Sequence, residues 1–290
     1  VFGFSAAGLD DVDGDGLGDL LVGEVGQSLQ TTGFAYVFSG ASGKVLYTLT
    51  NNLVSNGADY GSLVLALPDL DGDGVNDLAV DAPHVSPPDG SGRAYVYSGA
   101  NGNIIWTLAS PHPAETASFA AVSGMADMNA DGTGDILAVS REPREPGEPA
   151  LGVIYVLSGA TGENIRRLPY YGIVTAVPDV DGDRIPDIAV GRSTENNSHG
   201  NVQVLSGATG NLLYTLVQPD PPTQFNSSQF GRAVLGVNDV DGDGRGDVLV
   251  GAVTESAPGF NPRQGPGAAF LHSGQRANCC LLYTSDAADE

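Results

Sequence analysis

Apolar positions in this chain fall into two kinds of segment, and both read as β-strands. The first kind is a continuous run of four residues: "LLVG" at Leu20, "LAVD" at Leu78, "ILAV" at Ile136, "IAVG" at Ile188 and "VLVG" at Val248. Such runs are too short for a helix and suit a buried strand. The second kind alternates apolar with polar residues around a Gly-rich centre, as in "GFAYVFSGASGKVLYTL" (33–49), "GRAYVYSGANGNIIWTL" (92–108), "GVIYVLSGATGENIRRL" (152–168) and "GNVQVLSGATGNLLYTL" (200–216). Alternation gives a half-buried strand, and Ser-Gly-Ala-x-Gly supplies turn residues able to take positive φ, so each segment predicts a hairpin.

These segments belong to a repeat. An aromatic followed by a small residue precedes each continuous run, at Phe2-Gly3, Tyr60-Gly61, Phe119-Ala120, Tyr171-Gly172 and Phe230-Gly231. Counting a strand around that pair gives about four strands per unit. The units lie around 1–49, 50–110, 111–168, 169–217 and 218–278. One four-stranded sheet cannot bury both faces, so consecutive units must stack around an axis, which predicts an all-β propeller with four-stranded antiparallel blades. The insert "VSREPREPGEPALG" (139–152) is rich in proline and charge and is expected as a surface loop of the third unit.

Between the aromatic pair and the apolar run, every unit carries an acidic loop of nine residues. The loops are "DVDGDGLGD" at Asp11, "DLDGDGVND" at Asp69, "DMNADGTGD" at Asp127, "DVDGDRIPD" at Asp179 and "DVDGDGRGD" at Asp239. Side-chain oxygens at positions 1, 3, 5 and 9, with a backbone carbonyl at position 7, match the all-oxygen ligation that Ca²⁺ prefers. The expected ligands are Asp11, Asp13, Asp15, Leu17 and Asp19 in the first loop and Asp69, Asp71, Asp73, Val75 and Asp77 in the second. They are Asp127, Asn129, Asp131, Thr133 and Asp135 in the third, and Asp179, Asp181, Asp183, Ile185 and Asp187 in the fourth. The fifth offers Asp239, Asp241, Asp243, Arg245 and Asp247, the residues at position 7 acting in each loop through the carbonyl.

Glycine at position 6 (Gly16, Gly74, Gly132, Gly244) allows a sharp turn, but the fourth loop has Arg184 there and Pro186 before its last aspartate. The fourth of up to five calcium sites is therefore expected to be the weakest. No EF-hand is expected, because position 12 already falls inside a strand and no glutamate follows at that spacing.

Charge reinforces this reading. The net charge is -23, and the five loops hold 19 of the 35 acidic residues. Unscreened, each close carboxylate pair costs on the order of 1 to 4 kcal/mol, which a bound cation removes. The same charge excludes nucleic acid as a partner. No apolar run approaches the length of a membrane span. The only cysteines, Cys279 and Cys280, are adjacent and cannot staple the fold. The segment 279–290 is expected to be a non-native or disordered tail, since "CLLYTSDAADE" shares no period with the repeats and resembles a translated sequencing adapter.

The aromatic-Gly pair, the D-x-D-x-D-G-x-x-D loop and strand ends such as "VGEVG", "VDAPH" and "VGAVT" resemble the FG-GAP repeat of the N-terminal β-propeller of integrin α-chains, across nearly all of residues 1–278. The resemblance implies a calcium-stabilised propeller of about seven blades, five of them visible here, in a secreted or cell-surface protein. A calcium loop in every repeat, together with the "SGATG" hairpins, is closer to bacterial extracellular relatives than to integrins.

No nucleophile elbow, phosphate loop or H-E-x-x-H motif occurs, and His84, His112, His199 and His272 are scattered as loop residues. The expectation is a non-enzymatic adhesion or ligand-binding module that contacts protein or glycan through loops on one face. The alternative is a carbohydrate-binding or scaffold propeller of a larger secreted enzyme, with Tyr170 and Tyr171 able to stack on sugars. Arg245-Gly246-Asp247 spells an adhesion tripeptide, but Asp247 occupies position 9 of the fifth loop, which makes the tripeptide a coincidence of the calcium motif.

Overall fold

The computed structural model of the protein describes residues 1–26, 33–50, 59–83, 92–109, 119–142, 151–170, 172–195, 199–218, 228–252, 267–274 and 279–284. Its strands form five four-stranded antiparallel sheets, the blades of a β-propeller fold. The first blade comprises β1 (Phe2–Leu9), β2 (Asp19–Glu24), β3 (Phe34–Phe38) and β4 (Val45–Leu49). The second comprises β5 (Val64–Ala66), β6 (Leu78–Ala82), β7 (Arg93–Tyr97) and β8 (Ile104–Ala109), and the third β9 (Phe119–Met125), β10 (Asp135–Glu142), β11 (Leu151–Leu157) and β12 (Asn164–Leu168). These three blades form one compact unit, Val1–Pro169.

A second compact unit, Tyr170–Glu290, holds the other two blades. The fourth blade comprises β13 (Ile173–Val177), β14 (Asp187–Gly191), β15 (Val202–Leu205) and β16 (Leu212–Leu216). The fifth comprises β17 (Ala233–Val237), β18 (Asp247–Ala252), β19 (Ala268–His272) and β20 (Cys279–Thr284). In every blade the order in space follows the order in sequence.

Each continuous apolar run becomes the second strand of its blade, paired on both sides. Leu78, Ala79, Val80 and Ala82 in β6 are fully buried, because a central strand between two packed faces offers no solvent side. The alternating segments form the outer hairpins; β3 buries every second residue, Ala35 and Val37, whereas β7 is buried without a break from Ala94 to Tyr97.

Consecutive blades within a unit meet through the aromatic pair. Tyr60 and Tyr97 of the second blade are buried with Leu21 and Val37 of the first, and the two tyrosine hydroxyls hydrogen-bond at 2.7 Å. In the first blade Phe2, Tyr36 and Phe38 occupy the corresponding positions and also cluster, with Phe2 and Tyr36 ring centroids 5.8 Å apart, but Phe2 is 58 % exposed. The glycine opening each outer hairpin permits the close approach of the next aromatic: a Cβ on Gly33 would run into the carbonyl of Tyr60, and one on Gly200 into that of Phe230.

Three expectations require correction. The insert 139–152 is not wholly loop, since β10 runs to Glu142 and β11 starts at Leu151, paired from Ile136↔Leu157 to Glu142↔Leu151; residues 143–150 lie outside the described residues. Proline and charge marked the tip, while extended pairing continues into it from both sides. Within the expected tail 279–290, residues Cys279–Thr284 are not disordered but form β20, paired with β19 from Ala268↔Thr284 to His272↔Cys279, and 285–290 lie outside the described residues. Without β20 the outer edge of β19 would leave its N–H and C=O groups unpaired, and an apolar, β-prone stretch such as Cys279–Thr284 pairs with such an edge. His272 is not a loop residue: it is buried in β19, edge-on to Phe230 with ring centres 5.8 Å apart.

Candidate metal centres

Each acidic loop joins the first and second strands of its blade, and a fixed division of labour among its aspartates folds it. Position 1 accepts the backbone N–H groups of the turn it begins. Asp11 Oδ1 takes Gly14 at 2.7 Å and Asp15 at 3.0 Å, while its Oδ2 takes Gly16 at 2.7 Å. Asp239 repeats the pattern with Gly242, Asp243 and Gly244. Positions 3 and 5 each accept the N–H two residues on, as in Asp13 with Asp15 and Asp15 with Leu17.

Position 9 has a different role. Asp77 is fully buried at the start of the central strand, where its Oδ2 accepts the N–H of Leu70 at 2.7 Å and its Oδ1 that of Gly99 at 3.0 Å. The same pair of bonds is made by Asp19 with Val12 and Gly40, Asp135 with Met128 and Gly159, Asp187 with Val180 and Gly207, and Asp247 with Val240 and Gly274. One carboxylate therefore ties the start of the loop to the outer hairpin of the same blade. Buried charge of this kind is tolerated only when both oxygens are satisfied.

The carboxylates converge. Asp11, Asp13 and Asp15 each offer an oxygen within 4.8 Å of the others, as do Asp69, Asp71 and Asp77, then Asp179, Asp181 and Asp187, then Asp239, Asp241 and Asp247. In the third loop Asn129 replaces the aspartate at position 3. Its Oδ1 accepts the N–H of Asp131 at 3.0 Å and its Nδ2 donates to Asp131 Oδ2 at 2.8 Å. Leu17, Val75, Thr133, Ile185 and Arg245 at position 7 each donate their N–H to the aspartate at position 5.

The electrostatics are those of crowded anions. Burial pushes Asp77 up to about 6, against the backbone N–H groups of Gly99 and Leu70 and with help from Asp71 and Asp69. Asp187 rises to about 6 for the same reasons, and Asp135 is also raised by burial. Asp13 is raised by desolvation and by the charges of Asp15, Asp19 and Asp11. Asp11 and Asp239 move down, held by the N–H groups of Gly16 and Gly244 respectively. Hard oxygen donors gathered around mutually repelling charges fit a divalent cation such as Ca²⁺.

Position 6 takes positive φ in every loop: 92° at Gly16, 89° at Gly74, 92° at Gly132 and 86° at Gly244, with Arg184 at 72°. Arg184 is thus held in a left-handed conformation that its side chain disfavours. Position 4 has the same demand, which the sequence reading missed: Gly14, Gly72, Gly182 and Gly242 satisfy it, whereas Ala130 sits there at 61°.

Other parts of the site also escaped the sequence reading. Ser39, Ser98, Ser158 and Ser273, at the start of the hairpin turns, donate Oγ–H to Asp15, Asp73, Asp131 and Asp243 at position 5. Of the glycines in the Ser-Gly-Ala-x-Gly turn, the later one, such as Gly43 or Gly102, takes the expected positive φ, while Gly40 and Gly99 do not. Gly40 and Gly99 are required because a Cβ would collide with the carbonyl of Gly18 or Asn76 in the loop. The signal was in the sequence: Ser-Gly recurs in every unit, 20 to 27 residues after the aspartate at position 9.

The tripeptide at 245–247 is built into the fold. Asp247 is fully buried. Arg245 was expected to matter only through its carbonyl, but its Nη1 donates to the carbonyl of Val180 in the fourth loop at 3.1 Å. Tyr170 is half-buried, and Tyr171, His84 and His112 lie outside the described residues.

Residues 60–97 match the FG-GAP repeat family. They include the aromatic pair, the second acidic loop, the central strand and the first strand of the hairpin. The second blade thus carries an FG-GAP repeat, in a β-propeller fold that is similar to the integrin α propellers. Among its relatives, phosphatidylinositol-glycan-specific phospholipase D of Rattus norvegicus is 28 % identical over 227 residues, covering 71 % of this chain and 24 % of the relative. Integrin alpha-IIb of Homo sapiens is 33 % identical over 150 residues, covering 47 % of this chain and 14 % of the relative. The chain thus spans less than a quarter of the length of either protein. A chain in the crystal structure of BBS1N in complex with ARL6DN shares the fold, with a TM-score of 0.53 at 10 % identity over 97 % of this chain and 68 % of that one. Among the described residues, no helix is long and apolar enough to cross a membrane.

Proposed function

We propose that this propeller is an extracellular, calcium-binding ligand-recognition module that contacts protein or glycan through the loops of one face and is not itself an enzyme. The observation that carries the proposal is the convergence of three carboxylates within 4.8 Å in four of the loops, in a donor set made wholly of oxygen. Calcium would be held by positions 1, 3, 5 and 9 and by the carbonyl at position 7, including Asp73, Asp131, Asp183 and Asp243 at position 5. Its chemistry is electrostatic: it neutralises the loop and fixes the joint between the first two strands of each blade.

The fourth loop would be the weakest site, because Arg184 already carries backbone strain there. Integrin-like relatives support protein recognition at the cell surface. The similarity to a phospholipase D favours a second reading, in which the propeller is a binding or scaffold part of a larger secreted enzyme. Differential scanning calorimetry with calcium and with excess chelator tests the calcium assignment. A substantially higher melting temperature with calcium is expected, by roughly 2.7 kcal/mol per site at a hundredfold excess over Kd, and coincident curves would refute it. A glycan array with and without chelator separates sugar recognition from protein recognition.

A further inference from the structure

Two aromatic side chains connect the metal loop of one blade to the blade before it. Tyr47, on β4 of the first blade, donates its hydroxyl to the carbonyl of Gly99 in the second. Gly99 is the residue whose N–H holds Asp77 Oδ1 at 3.0 Å. Trp106, on β8 of the second blade, donates Nε1–H to the carbonyl of Gly159 in the third at 3.0 Å. Gly159 in turn holds Asp135 Oδ1 at 3.2 Å. Each ring also lies over the next turn glycine: a Cβ on Gly102 would sit 3.1 Å from Tyr47 Cδ2, and one on Gly162 would sit 3.3 Å from Trp106 Cε3.

We propose that Tyr47 and Trp106 are positioning residues for the cation sites of the following blades, acting through Gly99 and Gly159 on Asp77 and Asp135. Three observations carry this. Tyrosine and tryptophan differ in shape, yet both lay a ring on the turn glycine and deliver a polar hydrogen to the corresponding carbonyl, so the donor is kept where the ring changes. Gly99 and Gly159 cannot shift freely, since a Cβ on either would collide with the carbonyl of Asn76 or Gly134 in the loop. Finally, the N–H and the C=O of each glycine flank one Cα, so a donor that pins the carbonyl restricts the swing of the N–H that holds the aspartate.

Tyr214 of the fourth blade has the same register, and its hydroxyl is raised well above its ordinary pKa by burial and by the charges of Asp187, Asp247 and Asp243. It forms no hydrogen bond among the described residues, so the device is complete at Tyr47 and Trp106.

In consequence, calcium in a loop fixes the aspartate at position 9, the aspartate fixes the hairpin glycine, and the glycine fixes the aromatic of the preceding blade. Ion binding and blade packing become one equilibrium. The inference rests on the calcium reading of the loops, and the experiment separates the two. Trp106 is the only tryptophan of the chain, so tryptophan emission comes from this one position, and Asp127→Ala assigns the change to the third loop.

Chelator-treated protein is titrated with CaCl₂, following Trp106 emission and heat of binding in parallel, for the native chain and for Asp127→Ala. Calorimetry is repeated on Trp106→Phe, which removes the donor, and on Trp106→Tyr, which supplies it as Tyr47 does. The expected result is a saturable emission change that vanishes in Asp127→Ala. One calcium site should weaken roughly fivefold in Trp106→Phe, the loss of about one hydrogen bond, with affinity kept in Trp106→Tyr. Calcium heat with a silent Trp106, an emission change that survives in Asp127→Ala, or a Trp106→Phe isotherm equal to the native one would overturn the coupling alone. Absence of calcium heat would overturn the coupling and the calcium reading together.

Discussion

Asp247 accepts the backbone N–H of Gly274 at 3.1 Å, joining the end of the fifth acidic loop to the outer hairpin of its blade. Its other oxygen accepts Val240 N–H at 2.8 Å, so the carboxylate of Arg245-Gly246-Asp247 is spent inside the fold. Replacing Asp247 by Asn keeps one acceptor and turns an amide N–H₂ toward a buried N–H. We expect a loss of roughly 1–3 kcal/mol, read as a fall of several degrees in melting temperature. A receptor that captures Arg-Gly-Asp peptides should fail to capture the folded chain in a surface-binding assay and should capture it only after denaturation.

Arg184 at φ 72° and Ala130 at φ 61° occupy positions that the other loops give to glycine. Arg184→Gly should stabilise the chain by about 1 kcal/mol through release of backbone strain and should tighten calcium binding at the fourth loop. Thermal melting and calcium titration of the variant check both effects. Ala130→Gly should act likewise at the third loop. Equal affinity in native and Arg184→Gly protein would show that strain at position 6 does not control the site.

Gly99→Ala places a Cβ against the carbonyl of Asn76, backbone on backbone with no side chain able to yield. This substitution should cost several times more stability than Gly74→Ala, where a Cβ meets nothing within 4 Å and only the positive φ of 89° penalises it. Denaturant melts of the two variants measure the difference.

Asp77 and Asp187, both raised to about 6 by burial, give the calcium-free protein an unusual pH dependence. A carboxyl with a higher pKa folded than unfolded binds its proton more tightly in the folded state. Its stabilisation is full below the unfolded value of 3.8 and is lost as pH rises through about 6. His272, lowered to about 4 by burial, acts in the opposite sense, because its contribution is lost as pH falls from 6.5 toward 4. In chelator, the melting temperature should therefore rise from pH 7 to pH 5, and rise further in His272→Phe. With saturating calcium the trend should disappear or reverse, since protons then compete with the ion. Melting curves at matched ionic strength decide it.

Much of this was legible from the residues. Aspartates at positions 1, 3, 5 and 9 identified the loops, and the four-residue apolar runs became the central strands because a strand buried on both faces has no polar side to display. What the sequence concealed is contact made at long range. The glycine of each Ser-Gly pair looks like a turn residue, yet Gly40 and Gly99 are fixed by a loop that lies a strand pairing away. Tyr47 and Trp106 read as ordinary members of an alternating strand, and their partners Gly99 and Gly159 lie over fifty residues further along. Arg245 gave no sign of reaching Val180, because position 7 carries a different side chain in every loop. Pairing at a sheet edge needs no repeat-specific sequence, so 279–284 gave no period by which β20 would be recognised.

The claim on which the rest depends is that the loops hold calcium. Isothermal titration of chelator-stripped protein with CaCl₂ measures this directly. Saturable uptake of several ions per chain, up to one per loop, with one site weakest and strengthened by Arg184→Gly, is the predicted result. A titration with no saturable heat across the micromolar to millimolar range would contradict it.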